Sequence, residues 1–376
     1  MTDSIDSGPV RLRRYADRDI DDVASACSDP MVQRFIPSMP RPYTRDTAAW
    51  WVRSGAQAVW DDGNAAFAVV DPRTDRLLGG VGLGATQQER GITEVGYWAA
   101  PWARRRGVAT AAADMITRWA FTRGLARVEL MTLWENTASQ RVALSAGFQR
   151  EGVRRSAIIG AIGERHDAIA WCRLATDPAG PVARLLPDLP GGQLTDGAVT
   201  LRPLGEGDVD FLHELRCLPE VVNTSVPPRE PERADTAERC SRAEARWLAG
   251  DRADLVILDA ATGAAAGDIG LRYGEPQTGQ AMLGCSVLPR WRGRGYVGRA
   301  LRLLAPWAFS VGIARLVAGA RPDNLASQRA LERAGFQREG YARARLPGPS
   351  GVRIDDVSYA LLPGDPMRAP TGSAGG

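Results

Sequence analysis

Lysine is absent from all 376 residues, so apart from two histidines every basic side chain is an arginine. That absence removes a phosphate-loop lysine, Schiff-base chemistry and a lysine general base together. The histidines, His166 and His213, have no second histidine at ligand spacing, which argues against a histidine-rich metal site. Five cysteines, Cys27, Cys172, Cys217, Cys240 and Cys285, contain no Cys-x-x-Cys pair and read as buried thiols, not as a disulfide framework or a zinc ribbon. No apolar run approaches the roughly 18 residues that span a bilayer. The first residues, Met1 to Gly8, are polar and acidic, so the expectation is a cytoplasmic chain with no membrane segment. A net charge of +3 makes no case for nucleic acid as a partner.

What is present is a repeat. Asn136-Thr-Ala-Ser-Gln-Arg, leading to Ala146-Gly-Phe-Gln-Arg-Glu-Gly152, returns as Asn324-Leu-Ala-Ser-Gln-Arg leading to Ala334-Gly-Phe-Gln-Arg-Glu-Gly340. The copies lie 188 residues apart, Gly147 against Gly335, and 12 of 17 paired positions are identical. A period this long exceeds the roughly 20 to 50 residues of solenoid units, so each copy is a domain with its own core. The expected organisation is an N-terminal tail over 1–9, a first domain over 10–175, a Pro/Gly-rich linker over 176–198, a second domain over 199–363 and a disordered tail over 364–376.

Periodicity predicts, in the first copy, amphipathic helices at Asp19–Cys27 and Thr44–Ala58 and a hairpin of Ala65–Val70 with Leu77–Leu83. A strand Glu94–Ala99, an Arg-rich turn and a helix Val108–Arg123 follow, then Val128–Thr132, a helix Ala138–Ala146 and a closing strand Ala168–Leu174. The second copy repeats the order: helix Asp208–Arg216, strands Asp254–Asp259, Ala266–Leu271 and Leu283–Leu288, helix Val297–Val311, strand Leu316–Ala318, helix Ala326–Ala334 and strand Asp356–Leu361. The fold class is α/β, an α+β mixed sheet with helices on both faces.

Chemistry concentrates at the turn Arg104-Arg-Arg-Gly-Val-Ala109, matched by Arg292-Gly-Arg-Gly-Tyr-Val297. A helix start leaves its first amides unpaired, Gly107 and Gly295 permit close backbone approach, and guanidiniums add charge. The physical reading is a pyrophosphate site; the plainer one is a solvated basic helix start. Strand, Arg-x-x-Gly-x-Ala turn, helix, strand, then Asn-x-x-Ser to Ala-Gly-Phe resembles the GNAT acyltransferases, and among them RimJ/RimL-type N-acetyltransferases, across nearly all of both domains.

The resemblance implies two tandem GNAT folds, each with its fourth and fifth strands splayed and acetyl-CoA or another acyl-CoA in the gap. It implies cofactor contacts from Trp98, Ala100, Arg104, Arg105, Arg106, Gly107, Val108, Ala109, Thr110, Asn136 and Ser139 in copy one, and from Arg292, Gly293, Arg294, Gly295, Val297, Gly298, Asn324 and Ser327 in copy two. It further implies Glu94 as general base, Ser139 as proton donor to the leaving thiolate, Asn136 as an orienting group, and amides near Trp98 to Ala100 as carbonyl-polarising donors. For Glu94 the plainer reading is a solvent-facing strand residue, and for Asn136 and Ser139 it is helix capping. His166-Asp167 suggests half a triad, but Asp167 pairs with Asp355 at the same offset and no Gly-x-Ser-x-Gly elbow exists, so a strand start is preferred. Trp50, Trp51 and Trp60 read as core aromatics beside an acceptor cleft.

The copies are unequal: Met282 faces Glu94 in the alignment, Cys285 faces Tyr97, and Val297 replaces Ala109. Copy one is therefore expected to be catalytic. Copy two is expected to be weakly active or structural, with Val297 crowding the phosphate. The function expected is N-acyl transfer by direct attack of an amine, from a small molecule or a protein N-terminus, in a ternary complex. The alternatives are a specialised-metabolite acyltransferase, whose donor is a longer acyl-CoA or the phosphopantetheine arm of an acyl carrier protein, and a non-catalytic acyl-CoA sensor or scaffold.

Overall fold

The computed structural model describes residues 4–348 and 351–367 and divides into two compact units, Met1–Ala183 and Arg184–Gly376. The first runs β1 (Ser4–Ser7), β2 (Val10–Arg13), α1 (Ile20–Cys27), α2 (Pro30–Phe35), α3 (Arg45–Trp50), α4 (Ala56–Asp61), β3 (Ala65–Val70) and β4 (Leu77–Gln87). It continues with β5 (Ile92–Ala99), α5 (Val108–Thr122), β6 (Arg127–Leu133), α6 (Thr137–Ser145), β7 (Gln149–Ile159) and β8 (Arg165–Leu174). The second runs β9 (Leu194–Thr195), β10 (Val199–Pro203), α7 (Val209–Arg216), α8 (Pro219–Val222), α9 (Arg233–Ser241), α10 (Ala243–Leu248), β11 (Arg252–Asp259), β12 (Ala265–Glu275) and β13 (Gln280–Val287). It closes with α11 (Tyr296–Ser310), β14 (Arg315–Ala320), α12 (Leu325–Arg333), β15 (Gln337–Pro347) and β16 (Arg353–Leu361). Each unit holds an eight-stranded mixed sheet, β1-β2-β3-β4-β5-β6-β8-β7 in the first and the corresponding β9-β10-β11-β12-β13-β14-β16-β15 in the second.

Strand alternation divides the first sheet into two packed faces. Ala68 and Val70 of β3 bury against Ile20, Val23 and Cys27 of α1 and against Ala48 of α3. Phe67, between them, turns to the other face and meets Trp119 of α5 edge-on at 5.5 Å. A buried ion pair ties strand to helix: Arg13 donates from both terminal nitrogens to Asp19, at 2.7 and 2.8 Å, and Arg202 repeats this on Asp208.

The structure departs from the expected layout at the joins. The segment expected as an N-terminal tail contains β1, antiparallel to β2. Within 176–198, Val182 donates to the Leu144 carbonyl, while Leu186 and Leu189 are buried in the second core, so apolar residues anchor a stretch whose composition suggested only an extended connection. Of the expected C-terminal tail, residues 368–376 lie outside the described residues. Between α3 and α4 the helix takes a π-helical turn, Trp51–Gly55. No helix among the described residues is long and apolar enough to cross a membrane.

Candidate functional site

The gap follows from register. β5 and β6 pair in parallel over three rungs only, Ile92–Arg127, Thr93–Val128 and Glu94–Glu129, after which β5 runs on to Ala99 without that neighbour. The second sheet parts at the same place, with Met282–Val317 as its last rung. The strands that separate are fifth and sixth in this chain because β1 precedes them.

Glu94 therefore stands at the mouth of the gap beside a second carboxylate. Burial, then the charge of Glu129, raises its pKa above the usual carboxylate range, while Arg154 opposes the shift. Burial acts on Glu129 too, but bonds from Arg127 (2.7 Å) and Arg154 (3.1 Å) outweigh it and hold that group low. The neighbouring environments push the two carboxyls apart, which leaves Glu94 as the group able to exchange a proton nearer neutrality. Met282 and Val317 offer nothing comparable in the second unit.

At the far side of the gap, Asn136 caps α6 by accepting the Ser139 amide at 3.1 Å, and Asn324 does the same for Ser327. The carboxamide oxygen of each Asn is thus engaged by its own helix. The Tyr97 hydroxyl crosses from β5 to the Ser139 hydroxyl at 2.8 Å and lies 3.2 Å from the Ser139 carbonyl. Burial raises the Tyr97 pKa, so this phenol stays protonated as a donor. Sequence reasoning noticed Tyr97 only as a difference from Cys285; its partner lies 42 residues away, beyond any local pattern. The Cys285 thiol is itself pushed up to about 12 by burial.

The turn before α5 has the geometry of an anion cradle. Arg105 (φ 59°) and Gly107 (φ 73°) are both left-handed, and Gly293 and Gly295 take the same places in the second unit. No side chain caps α5; its first backbone bond runs from Ala111 to the Gly107 carbonyl, which leaves the amides of Val108, Ala109 and Thr110 ahead of the ladder. A Cβ built on Gly107 would meet nothing within 4 Å, so the space in front is clear. This fits a pyrophosphate. In the second unit Arg299 donates to the Gly295 carbonyl, leaving Tyr296, Val297 and Gly298 in the same position.

Three expectations change. Arg104 does not flank the cradle freely: its guanidinium bonds Asp29, the cap of α2, and Arg292 likewise bonds Glu220. Arg105 and Arg106 are the exposed cations of the first turn. The Ala100 amide donates to the Leu78 carbonyl at 2.9 Å and is spent in the sheet, so alternation directs the Ala99 amide, not Ala100, toward the gap. Val297, expected to crowd the phosphate, is partly buried against the second core.

The other candidates settle as structure. Asp167 accepts the Ser156 amide and Asp355 the Ala344 amide, holding matching bulges whose residues have φ of 53° and 52°. His166 faces Glu164 at 3.3 Å, so no triad forms. Trp60 packs edge-on to Phe67 and donates to the Ala66 carbonyl. Trp51 packs against Tyr15, whereas Trp50 is 62% exposed.

The model of the acetyltransferase (GNAT) domain matches twice, over residues 10–149 and 198–337. The chain is similar to the uncharacterised N-acetyltransferase YoaA of Bacillus subtilis (strain 168), 26% identical over 145 residues, which are 38% of this chain and 81% of that protein. It is similar to the uncharacterised N-acetyltransferase p20 of Bacillus licheniformis, 30% identical over 151 residues, 39% of this chain and 82% of that protein. Among solved structures, Mycobacterium smegmatis RimJ in complex with CoA-disulfide aligns at 22% identity and a TM-score of 0.41, over 46% of this chain and 86% of that one.

Proposed function

The chain belongs to the GNAT acetyltransferase family, with one such domain in each half, and from that premise we propose that it is an N-acetyltransferase whose chemistry runs in the first domain. The observation that carries this reading is Glu94 on the last rung of the β5–β6 pair, where the second domain has Met282. An acyl-CoA, when bound, supplies the activated acyl thioester. The amides of Val108, Ala109 and Thr110, with Arg105 and Arg106, would hold its pyrophosphate.

Glu94 takes the proton from the acceptor amine, its raised pKa bringing it nearer the working pH than an ordinary carboxylate. The Ala99 amide, pointing into the gap, is placed to hold charge on the carbonyl oxygen. Ser139 Oγ carries the proton for the departing sulfur. Tyr97 is a positioning residue: its hydroxyl, 2.8 Å from Ser139 Oγ and 3.2 Å from the Ser139 carbonyl, fixes where the serine hydroxyl stands at the gap. The second domain keeps the cradle and the Asn324 cap but lacks carboxylate and tyrosine, which favours binding without efficient turnover. Release of free thiol from acetyl-CoA across a panel of amines and N-terminal peptides tests the reading. Acceptor-dependent release supports it; tight binding with no release from any acceptor supports a sensor instead.

A further inference from the structure

The sheet face that carries Glu94 is paved with glycine. Cross-strand partners share a face, and the register sets Gly80 against Trp98, Gly82 against Gly96 and Gly84 against Glu94. Four of these six positions have no side chain. A Cβ on Gly84 or Gly96 would meet nothing within 4 Å, so the floor is open at those two positions, whereas one on Gly82 would fall 2.6 Å from the Ala65 carbonyl oxygen. At the other end the space is filled: a Cβ on Gly80 would fall 2.4 Å from the Tyr15 hydroxyl and 2.5 Å from the Trp98 indole nitrogen. The result is a strip of sheet from Glu94 to Trp98, about 13 Å at roughly 3.3 Å per strand residue, with no side chain between its ends on β5.

At Glu94, Gly96 and Trp98 the β5 backbone groups are spent on β4, so the free amides and carbonyls of β5 lie along its β6 edge and not on this face. Glu94 and Glu129 supply the charge at its open end, and Arg154 beside them is already bonded to Glu129. The second unit differs at these positions: Asp268 replaces Gly80, Arg272 replaces Gly84, and Ser286 replaces Trp98. There Asp268 pairs with Arg216, and Asp254 with Arg239 and Arg252, over the same face.

From this contrast we infer that the first domain's acceptor is an amine carried on a flat, uncharged apolar scaffold. The nitrogen lies at Glu94, and the scaffold lies over Gly96 against Trp98. Three features favour that class. A bare floor gives close van der Waals approach to a planar group, and Trp98 offers it an aromatic end wall. An anionic acceptor would meet the two carboxylates, and a polycation would have to leave its outer charges over a surface with no partner. The inference rests on the acyltransfer reading of this site.

The test uses the full chain with acetyl-CoA and compares kcat/KM for 2-phenylethylamine and phenylalanine amide with that for spermidine and aspartate α-amide. The flat apolar amines should lead by at least tenfold. Gly84→Arg, which copies the second domain, should raise acceptor KM at least tenfold while the KM for acetyl-CoA stays within twofold, and Trp98→Ala should also raise acceptor KM at least tenfold. Gly84 sits on an open surface, so its variant carries the test should Trp98→Ala fail to fold. Preference for spermidine or the aspartyl amide, or an unchanged acceptor KM in Gly84→Arg, overturns the inference and leaves acyl transfer standing. No thiol release with any amine overturns both.

Discussion

At the residue scale, the first unit holds one carboxyl, Glu94, whose environment penalises its charge. Burial and the neighbouring Glu129 raise the Glu94 pKa in the folded chain. As pH rises, the unfolded chain loses this proton first, so the group's contribution to stability declines from the ordinary carboxylate pKa up through the raised one. Glu94→Gln should therefore melt higher than the parent at pH 7.5, with the difference vanishing near pH 4; a thermal melt series at both pH values checks it. The same raised pKa should appear as the acidic limb of the kcat profile, and that limb should disappear in Glu94→Gln. Tyr97 acts through Ser139, so Tyr97→Phe should lower kcat by about tenfold and leave both KM values unchanged, which steady-state kinetics can separate from a packing defect.

At the scale of elements, β3, α5 and the β5 strand were legible because their apolar positions follow one period and end at clear turn residues. β7 and β15 were not. Their sequences, Gln149-Arg-Glu-Gly-Val-Arg-Arg-Ser and Gln337-Arg-Glu-Gly-Tyr-Ala-Arg-Ala, are charged, mostly exposed edge strands with no buried face to impose alternation. Glu94 could be placed from its strand, but Glu129 beside it depends on a parallel register between strands joined through a whole helix. The glycine floor was equally hidden: single glycines in a strand signal weakness, and only pairing lines them up on one face. The Arg13–Asp19 pair, joining β2 to the start of α1 with both partners buried, supplies the test at this scale. Asp19→Asn leaves Arg13 without its full counter-charge and should cost about 3–5 kcal/mol, read by chemical denaturation.

At the scale of the whole chain, duplication preserved the cradle, the Asn caps, the ion pair and the bulges in both units while the acceptor face diverged. What was kept twice is what folds the domain and what we propose meets pyrophosphate. What was changed is the rung proposed to accept the proton, Glu94 against Met282, and the floor beside it. Calorimetric titration should accordingly find up to two acetyl-CoA sites per chain, and Gly107→Val, which forces a β-branched residue into a left-handed turn, should remove one of them. Catalysis should depend on the first unit alone. The most direct measurement is initial thiol release by Glu94→Gln at saturating acetyl-CoA with a turned-over amine. The account predicts a fall of about 100-fold or more with acetyl-CoA binding unchanged; turnover equal to that of the parent chain would contradict it.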